Sequence, residues 1–342
     1  MTEASTELSI IIPVYNGGLA FRQCLASIRQ SERPPNELIV VADGDTDGSW
    51  QVAKDFGAQV IRLPVAGGPA RARNLGAQAA KGDILFFMDA DVTLHTDTLT
   101  LVEQRFRQQE SLAALIGSYD DAPGAENFLS QYKNLFHHYT HQTSTPVAST
   151  FWGACGAIRR TVFQQVGGFD ETYRKPCIED IELGYRLRQE GHTIALCKDI
   201  QVKHLKRWEP VSLLRAEIFY RALPWAELIL RDRTLNADLN LNHTNRASVF
   251  LVFALLGCLV ATIWLPTAWG IVLALALTLL IINRAVYRFF YRKRGALFAL
   301  RVVPWHWFYF LYGGGAFAYS TIKYSLRSLL LREPANVLKP RG

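Results

Sequence analysis

Residues 83–91 read Asp83-Ile84-Leu85-Phe86-Phe87-Met88-Asp89-Ala90-Asp91. An unbroken apolar run of this length fits a strand covered on both faces, and two carboxylates follow at i and i+2, where strand gives way to loop. Upstream the pattern recurs. Ser9 to Val14, Glu37 to Ala42 and Gln59 to Leu63 are strand candidates, separated from one another and from Asp83 to Met88 by amphipathic stretches at about residues 19–30, 48–56 and 70–80. Strands alternating with helices predict an α/β, doubly wound, mostly parallel Rossmann-like sheet with right-handed crossovers. Ligands of such sheets sit outside the carboxyl ends of the strands. The polar residues collect there: Tyr15 and Asn16, then Asp43 to Asp47, then Asp89 and Asp91.

Past Leu99 the alternation loosens. A helix is predicted over about 125–141, a strand near Phe151 to Arg159, a helix from about Glu179, a strand from Thr193 to Cys197, and a helical stretch from Glu209 to Arg231. At 342 residues the chain has length for at least one full core and by length alone for two domains.

Charge is unevenly distributed. After Arg246 there are eleven Lys or Arg and one acid, Glu333, a net of +10 that leaves −3 for the rest of a chain whose total is +7. The basic character therefore belongs to the C-terminal third and gives the N-terminal part no nucleic-acid-binding face. Five scattered cysteines, Cys24, Cys155, Cys177, Cys197 and Cys258, lack the C-x-x-C spacing of a zinc site and read as reduced thiols. Met1 to Glu7 carry two acids and no basic residue, and the apolar run that follows is short and contains Pro13, which does not fit a signal peptide.

From Ala247 to Ile282 there are 36 consecutive uncharged residues, interrupted at Leu265-Pro266-Thr267. A single span needs about 20 apolar residues, so this length predicts a hairpin of two short spans. Asn283 to Arg294 follows, with Arg284, Arg288, Arg292, Lys293 and Arg294 among Tyr287, Phe289, Phe290 and Tyr291. Basic residues beside a span mark the cytoplasmic side, and aromatic rings favour the interface. Both ends of the hairpin are then cytoplasmic, which places the N-terminal domain in the cytosol at the plasma (inner) membrane, multi-pass. Residues 296–321 are apolar too, but Arg301, Pro304, His306 and Gly313-Gly314-Gly315 interrupt them. A further full span would carry Lys323, Arg327, Arg332, Lys339 and Arg341 to the far side, so an interfacial or re-entrant segment is expected.

Four blocks carry chemistry. Asp89-Ala90-Asp91 can reach a hard cation and, through it, a diphosphate, although acidic turns after strands are common. In Asp43-Gly44-Asp45-Thr46-Asp47-Gly48 a carboxylate can accept from a base or ribose donor; alone, the segment reads as a surface turn, with Asp47 and Ser49 capping the next helix. Gly67-Gly68-Pro69-Ala70-Arg71-Ala72-Arg73-Asn74 opens a helix with two arginines, a place that favours phosphate. Neither G-x-x-x-x-G-K-[ST] nor G-x-G-x-x-G occurs, which excludes a P-loop. Gly167-Gly168-Phe169-Asp170-Glu171 precedes Ile178-Glu179-Asp180-Ile181-Glu182. Acids opening a helix are stabilised by its dipole in any protein, yet one facing a sugar could take the proton of an acceptor hydroxyl.

With Ile11-Ile12-Pro13-Val14-Tyr15-Asn16, these blocks resemble glycosyltransferase family 2 over about residues 8–210, in the family's order and spacing. The resemblance implies a GT-A fold and a nucleotide diphosphate sugar donor, with a UDP-sugar ahead of a GDP-sugar. It also implies a magnesium or manganese ion and inversion at the anomeric carbon. Carried over by motif, Asp43 holds the base with Tyr15 near it and Pro13 in the same donor-binding segment, Arg73 lies by the nucleotide and Asp89 near the donor. Asp91 is on the metal, Asp180 is the general base, Glu179 stands beside the acceptor, and Gly153 and Ala154 line the acceptor side. The nucleotide turn departs from the usual Asp-Asp-Gly-Ser by having Ala42 and Asp45, which leaves the base open.

His204-Leu205-Lys206-Arg207-Trp208 stands where polymerising members carry Gln-x-x-Arg-Trp, with His204 in the glutamine position. His204 either completes the metal shell or is structural. Arg207 and Trp208 belong either to the acceptor site or to the membrane interface. A single hairpin of spans also argues against a polymer channel. The reading is an inverting hexosyltransferase acting on a membrane lipid. A processive polysaccharide synthase is one alternative. A non-catalytic nucleotide-sugar-binding membrane protein is another, but it should have lost its base or metal motif, and Asp91 and Asp180 are both present. The expected organisation is a cytosolic domain over 1–210, an amphipathic juxtamembrane region over 211–246 that joins the bilayer or presents a lipid, transmembrane helices over 247–283, and a basic segment over 284–342.

Overall fold

The computed structural model describes residues 7–234, 236 and 239–330, so Arg332, Glu333, Lys339 and Arg341 of the charge argument lie outside the described residues. Two compact units divide the chain, Met1–Glu209 and Pro210–Gly342.

The N-terminal unit begins with β1 (Leu8–Val14), α1 (Gly18–Arg29), β2 (Glu37–Asp43), α2 (Ser49–Phe56), β3 (Gln59–Leu63), α3 (Pro69–Ala79) and β4 (Ile84–Met88). Each lies within one or two residues of its sequence expectation. The reason is that every one of these strands is bounded by turn residues and every helix has one clear apolar face. All five residues of β4 are buried, as the continuous apolar run required. β1 pairs in parallel with β2 and β4, and β2 with β3, so the carboxyl ends of β1, β2 and β4 lie side by side. Pro13 is tolerated because the β1–β4 ladder ends at Ile11, before its missing N–H matters.

The second half is less regular: β5 (Val92–Leu94), α4 (Thr98–Gln108), β6 (Ala114–Tyr119), α5 (Phe128–Thr143), β7 (Val147–Ala148), β8 (Cys155–Arg159), α6 (Arg160–Gln165), α7 (Glu179–Gln189) and β9 (Ile194–His204). The sheet order is β3-β2-β1-β4-β8-β6-β9-β5, with β7 on β9. β8 runs antiparallel to β4 and β6, and β5 and β7 antiparallel to β9; only β6–β9 is parallel here. The expected mostly parallel sheet is thus parallel only in its first half, giving a mixed Rossmann-like sheet. β5 has three residues and β7 two, too short for a two-residue period to show in sequence. The five cysteines are free thiols, and burial pushes those of Cys24 and Cys155 far above the ordinary thiol range.

The C-terminal unit is helical: α8 (Pro210–Arg215), a π-helical segment (Ala216–Ala222), α9 (Leu223–Asp232), a short 3-10 turn (Leu239–Leu241), α10 (His243–Ala261), α11 (Ala268–Ile282), α12 (Arg284–Arg294) and α13 (Ala296–Leu330). Asn242 caps α10 by accepting from the Asn245 N–H at 2.9 Å. Val252 and Leu255 of α10, Val272 and Leu279 of α11 and Phe310 of α13 form one core cluster.

Two expectations change here. Among the described residues only α10 is long and apolar enough to cross a membrane; α11 has 15 residues and meets that test only together with α12, across a 64° bend. The bend falls at Asn283, whose side chain donates to Ser248 Oγ at 2.9 Å and to the Leu279 carbonyl at 3.0 Å, turning the chain before a second full-length helix can form. Residues 296–321 were expected to break at Pro304 and the triple glycine, yet α13 runs through both. A Cβ on Gly314 would come 2.5 Å from Val249 Cγ1, so this glycine admits a close approach of α13 to α10.

Candidate functional site

The loops after β1 and β2 of the N-terminal unit are tied by their own side chains. Asn16, at a left-handed φ of 51°, accepts the Thr46 N–H on Oδ1 at 2.8 Å, joining the loop after β1 to the loop after β2. Asp47 accepts from the Gly18 N–H at 2.9 Å and from the Ser49 N–H and hydroxyl at 3.0 and 2.7 Å, tying α1 to the first residue of α2, but the N-cap of α2 is Gly48 and no side chain caps it, so the expected capping by Asp47 and Ser49 is replaced by this loop tie. Tyr15 stays 61% exposed beside these loops. Asp43, buried at the end of β2, accepts the N–H groups of Gly67 and Gly68 at 2.7 and 2.8 Å. Gly68 has φ +96° and its missing Cβ would meet the Arg174 carbonyl at 2.5 Å, so only glycine fits this turn. Asp43 therefore fixes the glycine turn. Asp45, noted in sequence only as a departure, is buried with Oδ2 near the Trp50 N–H at 3.2 Å, while Oδ1 has no hydrogen-bond partner among the described residues.

Arg73 is the hub of the middle of the site. One face of its guanidinium donates to Asp89 Oδ1 at 2.7 Å and another to Glu179 Oε1 at 2.8 Å, with the Phe169 ring 5.4 Å below. Burial works against its charge, but Asp89, Glu179 and Asp180 outweigh it and raise the pKa further. Glu179, expected beside the acceptor, has its other oxygen on the Cys177 N–H at 2.9 Å and is 4% exposed, so it holds Arg73 and the start of α7. Asn74 was quoted in sequence without a role. Its amide bonds the Phe169 N–H and carbonyl and Glu171 Oε1, each at 2.9 Å, and so locks the glycine-rich turn before α7 onto α3. Arg186 grips Glu182 and the Gly168 carbonyl from the other side.

Asp180 opens α7 and accepts from the Gly153 N–H at 3.1 Å and from its own neighbour Ile181 at 2.8 Å. Gly153 also lies against the Arg73 guanidinium, where a Cβ would be 2.9 Å from Cζ. Ala154 beside it is buried. The structure thus brings Asp89, Arg73, Glu179, Asp180 and Gly153 into one connected group.

A second group forms around Asp91. The short β5–β9 ladder pairs Val92 with His204, and the Leu205 N–H donates to the Asp91 carbonyl at 2.8 Å, which sets His204 Nε2 3.6 Å from Asp91 Oδ2. His204 Nδ1 is 2.7 Å from Asn134 Oδ1, and the Tyr119 ring stacks on the imidazole at 4.6 Å. Burial raises the Asp91 pKa, but His204 and, less strongly, Lys206 bring it below the ordinary carboxylate range. That lowering belongs to the protonated imidazole, which donates from both ring nitrogens; in the neutral form, with Nδ1 donating to Asn134, Nε2 would present a lone pair to the carboxylate oxygen, and a cation between them would satisfy both. Among the described residues no cluster of three or more His, Cys, Asp or Glu gathers. A two-donor set of this kind still suits magnesium or manganese, which take their remaining ligands from phosphate oxygens and water.

Arg207 is exposed and paired with Glu209 at 2.8 Å. Trp208 is half-buried, its N–H on Ser130 Oγ and its carbonyl on Asn127 Nδ2, both at 2.7 Å, and Lys206 Nζ lies 4.4 Å from its ring centroid. No residue of this pair enters the Arg73 or Asp91 groups through the contacts described.

A mixed Rossmann-like sheet with an acidic pair at the end of β4, a glycine turn leading into α3 and an acidic start to α7 is the arrangement expected of a GT-A type fold. Residues 9–167 match the model of glycosyl transferase family 2, and residues 135–208 match one described as the N-terminal domain of galactosyltransferase. The N-terminal unit belongs to glycosyl transferase family 2. Glycosyltransferase GlyG of Streptococcus pneumoniae serotype 4 is 29% identical over 117 residues, 33% of this chain and 38% of that protein. O-antigen chain rhamnosyltransferase WbaN of Salmonella anatum is 23% identical over 234 residues, covering 64% of this chain and 74% of WbaN. The chain thus spans less than half of GlyG's length but most of WbaN's. Among solved structures, mannosyltransferase PcManGT from Pyrobaculum calidifontis in complex with GDP-Man and Mn2+ shares the fold with a TM-score of 0.51 at 15% identity, over 94% of this chain and 87% of that one.

Proposed function

We propose that the protein transfers a hexosyl group from a nucleoside diphosphate sugar to a hydroxyl of a membrane lipid, in one inverting displacement. The carrying observation is the pair of linked groups at the strand ends: Asp91 facing His204 at 3.6 Å, and Arg73 held between Asp89 and Glu179 next to Asp180. Asp43, Tyr15 and the glycine turn form the nucleotide side, with Pro13 shaping the strand end. A UDP-sugar is the first donor to test and a GDP-sugar the second; the relation to WbaN adds deoxyhexose donors to the panel.

Asp180 acts as the base. The N–H groups of Gly153 and Ile181 donate to its two oxygens and hold the carboxylate at the start of α7, where it would take the acceptor proton. Arg73, held by Glu179, orients Asp89. A magnesium or manganese ion on Asp91 and His204 would supply positive charge against the departing diphosphate. Gly153 and Ala154 are assigned to the acceptor side on their position beside Asp180, and Arg207 and Trp208 are assigned there on the sequence motif alone.

Membrane attachment rests on α10 together with the bent pair of α11 and α12. Exposed Phe250, Ile263, Trp264, Trp269 and Ile271 on these helices and their connection need a covering that a bilayer provides. The basic character of α12 supports reading both ends of this segment, and the catalytic domain, as cytoplasmic at the inner membrane.

The test is donor turnover. Purified full-length protein in detergent is given membrane lipid extract, manganese and a panel of nucleotide sugars, with nucleoside diphosphate release and lipid product mass followed for wild type and Asp180→Asn. A one-sugar lipid product lost in the variant supports the reading. Equal activity in the variant would remove Asp180 from the base role, and long polymer would replace lipid glycosylation by processive synthesis.

A further inference from the structure

α12 carries three arginines along one line. Arg284, Arg288 and Arg292 recur at every fourth residue and are exposed, whereas Val286 and Phe290, on the opposite side of the helix, are buried. Phe290 stacks on Phe298 at a centroid distance of 5.8 Å, which fixes the roll of the helix and keeps the arginines outward. The stripe covers about 12 Å along the axis. Among the described residues no hydrogen bond or ion pair engages Arg284, Arg288 or Arg292. Sequence explains why: no Asp or Glu occurs between Asp238 and Glu333, so neither α11 nor α13 offers a described carboxylate.

The helix before it is of the opposite character. α11 contains no charge and exposes Trp269, Ile271, Leu273, Leu277 and Ile281. The 64° bend at Asn283 then redirects the chain as it passes from apolar to basic. If α11 is immersed in hydrocarbon, such a turn lays α12 near the headgroup plane, and Tyr291, 59% exposed, sits where an aromatic ring prefers to be. Guanidinium forks match phosphate oxygens in pairs, and an unpaired row of them is complementary to a row of lipid phosphates. A soluble polyanion would match the charge but would leave the apolar surface of α11 uncovered.

We propose that α12 lies on the bilayer surface and that Arg284, Arg288 and Arg292 hold the phosphate groups of anionic phospholipids. This rests on reading α10 and α11 as membrane-inserted and is independent of which sugar is transferred. An anionic lipid bound here would set the depth and roll of the C-terminal unit.

The experiment uses full-length, delipidated protein in a neutral detergent, titrated with phosphatidylglycerol or phosphatidylcholine and read by native mass spectrometry. Co-flotation with pure phosphatidylcholine vesicles is measured in parallel. Wild type should retain phosphatidylglycerol at least tenfold more tightly than phosphatidylcholine. The variant Arg284→Gln/Arg288→Gln/Arg292→Gln should lose that retention by about a hundredfold, at roughly a tenfold or smaller step per arginine. Its thermal unfolding should match wild type, because the three side chains engage no described partner. Equal retention of the two lipids, or wild-type retention by the triple variant, would overturn the stripe while leaving insertion intact. Failure to float with phosphatidylcholine would overturn insertion and the stripe together, and displacement of the lipid by inorganic phosphate at equal concentration would reduce it to a general anion site. None of these readouts uses turnover, so the glycosyltransferase reading fails or stands separately.

Discussion

His204 Nδ1 lies 2.7 Å from Asn134 Oδ1, and the opposite ring nitrogen faces Asp91 Oδ2 at 3.6 Å. Asn134 is 1% exposed and α5 holds it rigidly beneath the imidazole. An acceptor at this place keeps the proton on Nδ1 and the lone pair of Nε2 pointed at Asp91. Asn134→Leu should therefore weaken Mn2+ binding by about 10- to 100-fold, the usual cost of losing an outer-shell partner. Asn134→Asp keeps the acceptor and should restore most of the affinity. Electron paramagnetic resonance titration of Mn2+ with nucleoside diphosphate present reads both, and equal affinity in the leucine variant would remove Asn134 from this role.

Among the described residues Arg73 is the cation bonded to both Asp89 and Glu179, and Glu179 is nearly inaccessible. Arg73→Met leaves Glu179 buried without its counter-charge, which should cost about 3–5 kcal/mol of stability in addition to activity. The double variant Arg73→Met/Glu179→Gln should recover much of that stability but none of the activity, since Asp89 is still unoriented. Chemical denaturation of the four proteins gives the cycle. If the double variant is as unstable as the single, the loss comes from packing of Arg73 against Phe169 instead.

How much of this was legible beforehand follows the physics of each signal. β1 to β4 and the helices between them were readable because long, fully buried strands and one-faced helices repeat their period several times. Asp43, Arg73, Asp89, Asp91 and Asp180 could be named from motif spacing. Their partners could not, because pairing depends on tertiary register: the three-residue β5 is what carries Asp91 to His204, and nothing in Val92-Thr93-Leu94 announces it. Asn134 gave no signal at all, being one polar residue in an otherwise ordinary helix. The resemblance gave Asp180 the base role and Glu179 a place beside the acceptor; the side-chain directions make Glu179 a holder of Arg73 and Asp180 a neighbour of Gly153. In the C-terminal unit, composition identified the apolar helices but not where they end, since Asn283 turns the chain through a tertiary bond to Ser248.

His95 provides a pH-dependent contact away from the candidate metal ligands. Its Nε2 is 3.1 Å from Asp120 Oδ2, and that bond, followed by burial acting the other way and by the charges of Asp120 and Asp97, raises its pKa above 6.5 despite Lys203. A raised folded-state value means that the stabilisation is fully present below the unfolded pKa and is lost as pH rises through the folded one. Wild type should thus lose a small increment of thermal stability from just above pH 6.5 upward that His95→Asn lacks. The side chain is 43% exposed, so the increment is modest and salt-sensitive. Parallel slopes for the two proteins from pH 6 to pH 8 would show that the contact does not titrate with folding.

Gly153 is where backbone, hub and base meet. Its N–H donates to Asp180 Oδ2 at 3.1 Å, and a Cβ built on it would stand 2.9 Å from Arg73 Cζ and 3.0 Å from Nη2. A flexible side chain could swing away, but Arg73 is fixed at both ends by Asp89 and Glu179 and is 4% exposed. Gly153→Ala must therefore move either the guanidinium, misaligning Asp89, or its own backbone, misaligning Asp180. A shift of a few tenths of an ångström to 1 Å at reacting groups costs about 10- to 100-fold in kcat, and KM for the donor should change less because Asp43 and its loops are untouched. The shorter fork-free side chain of Arg73→Lys leaves room for the added methyl. The double variant Arg73→Lys/Gly153→Ala should then be no slower than Arg73→Lys alone, whereas independent sites would multiply their losses. Steady-state kinetics on the four proteins decide between the two, and wild-type turnover by Gly153→Ala would mean that the Arg73 group is more compliant than its contacts imply.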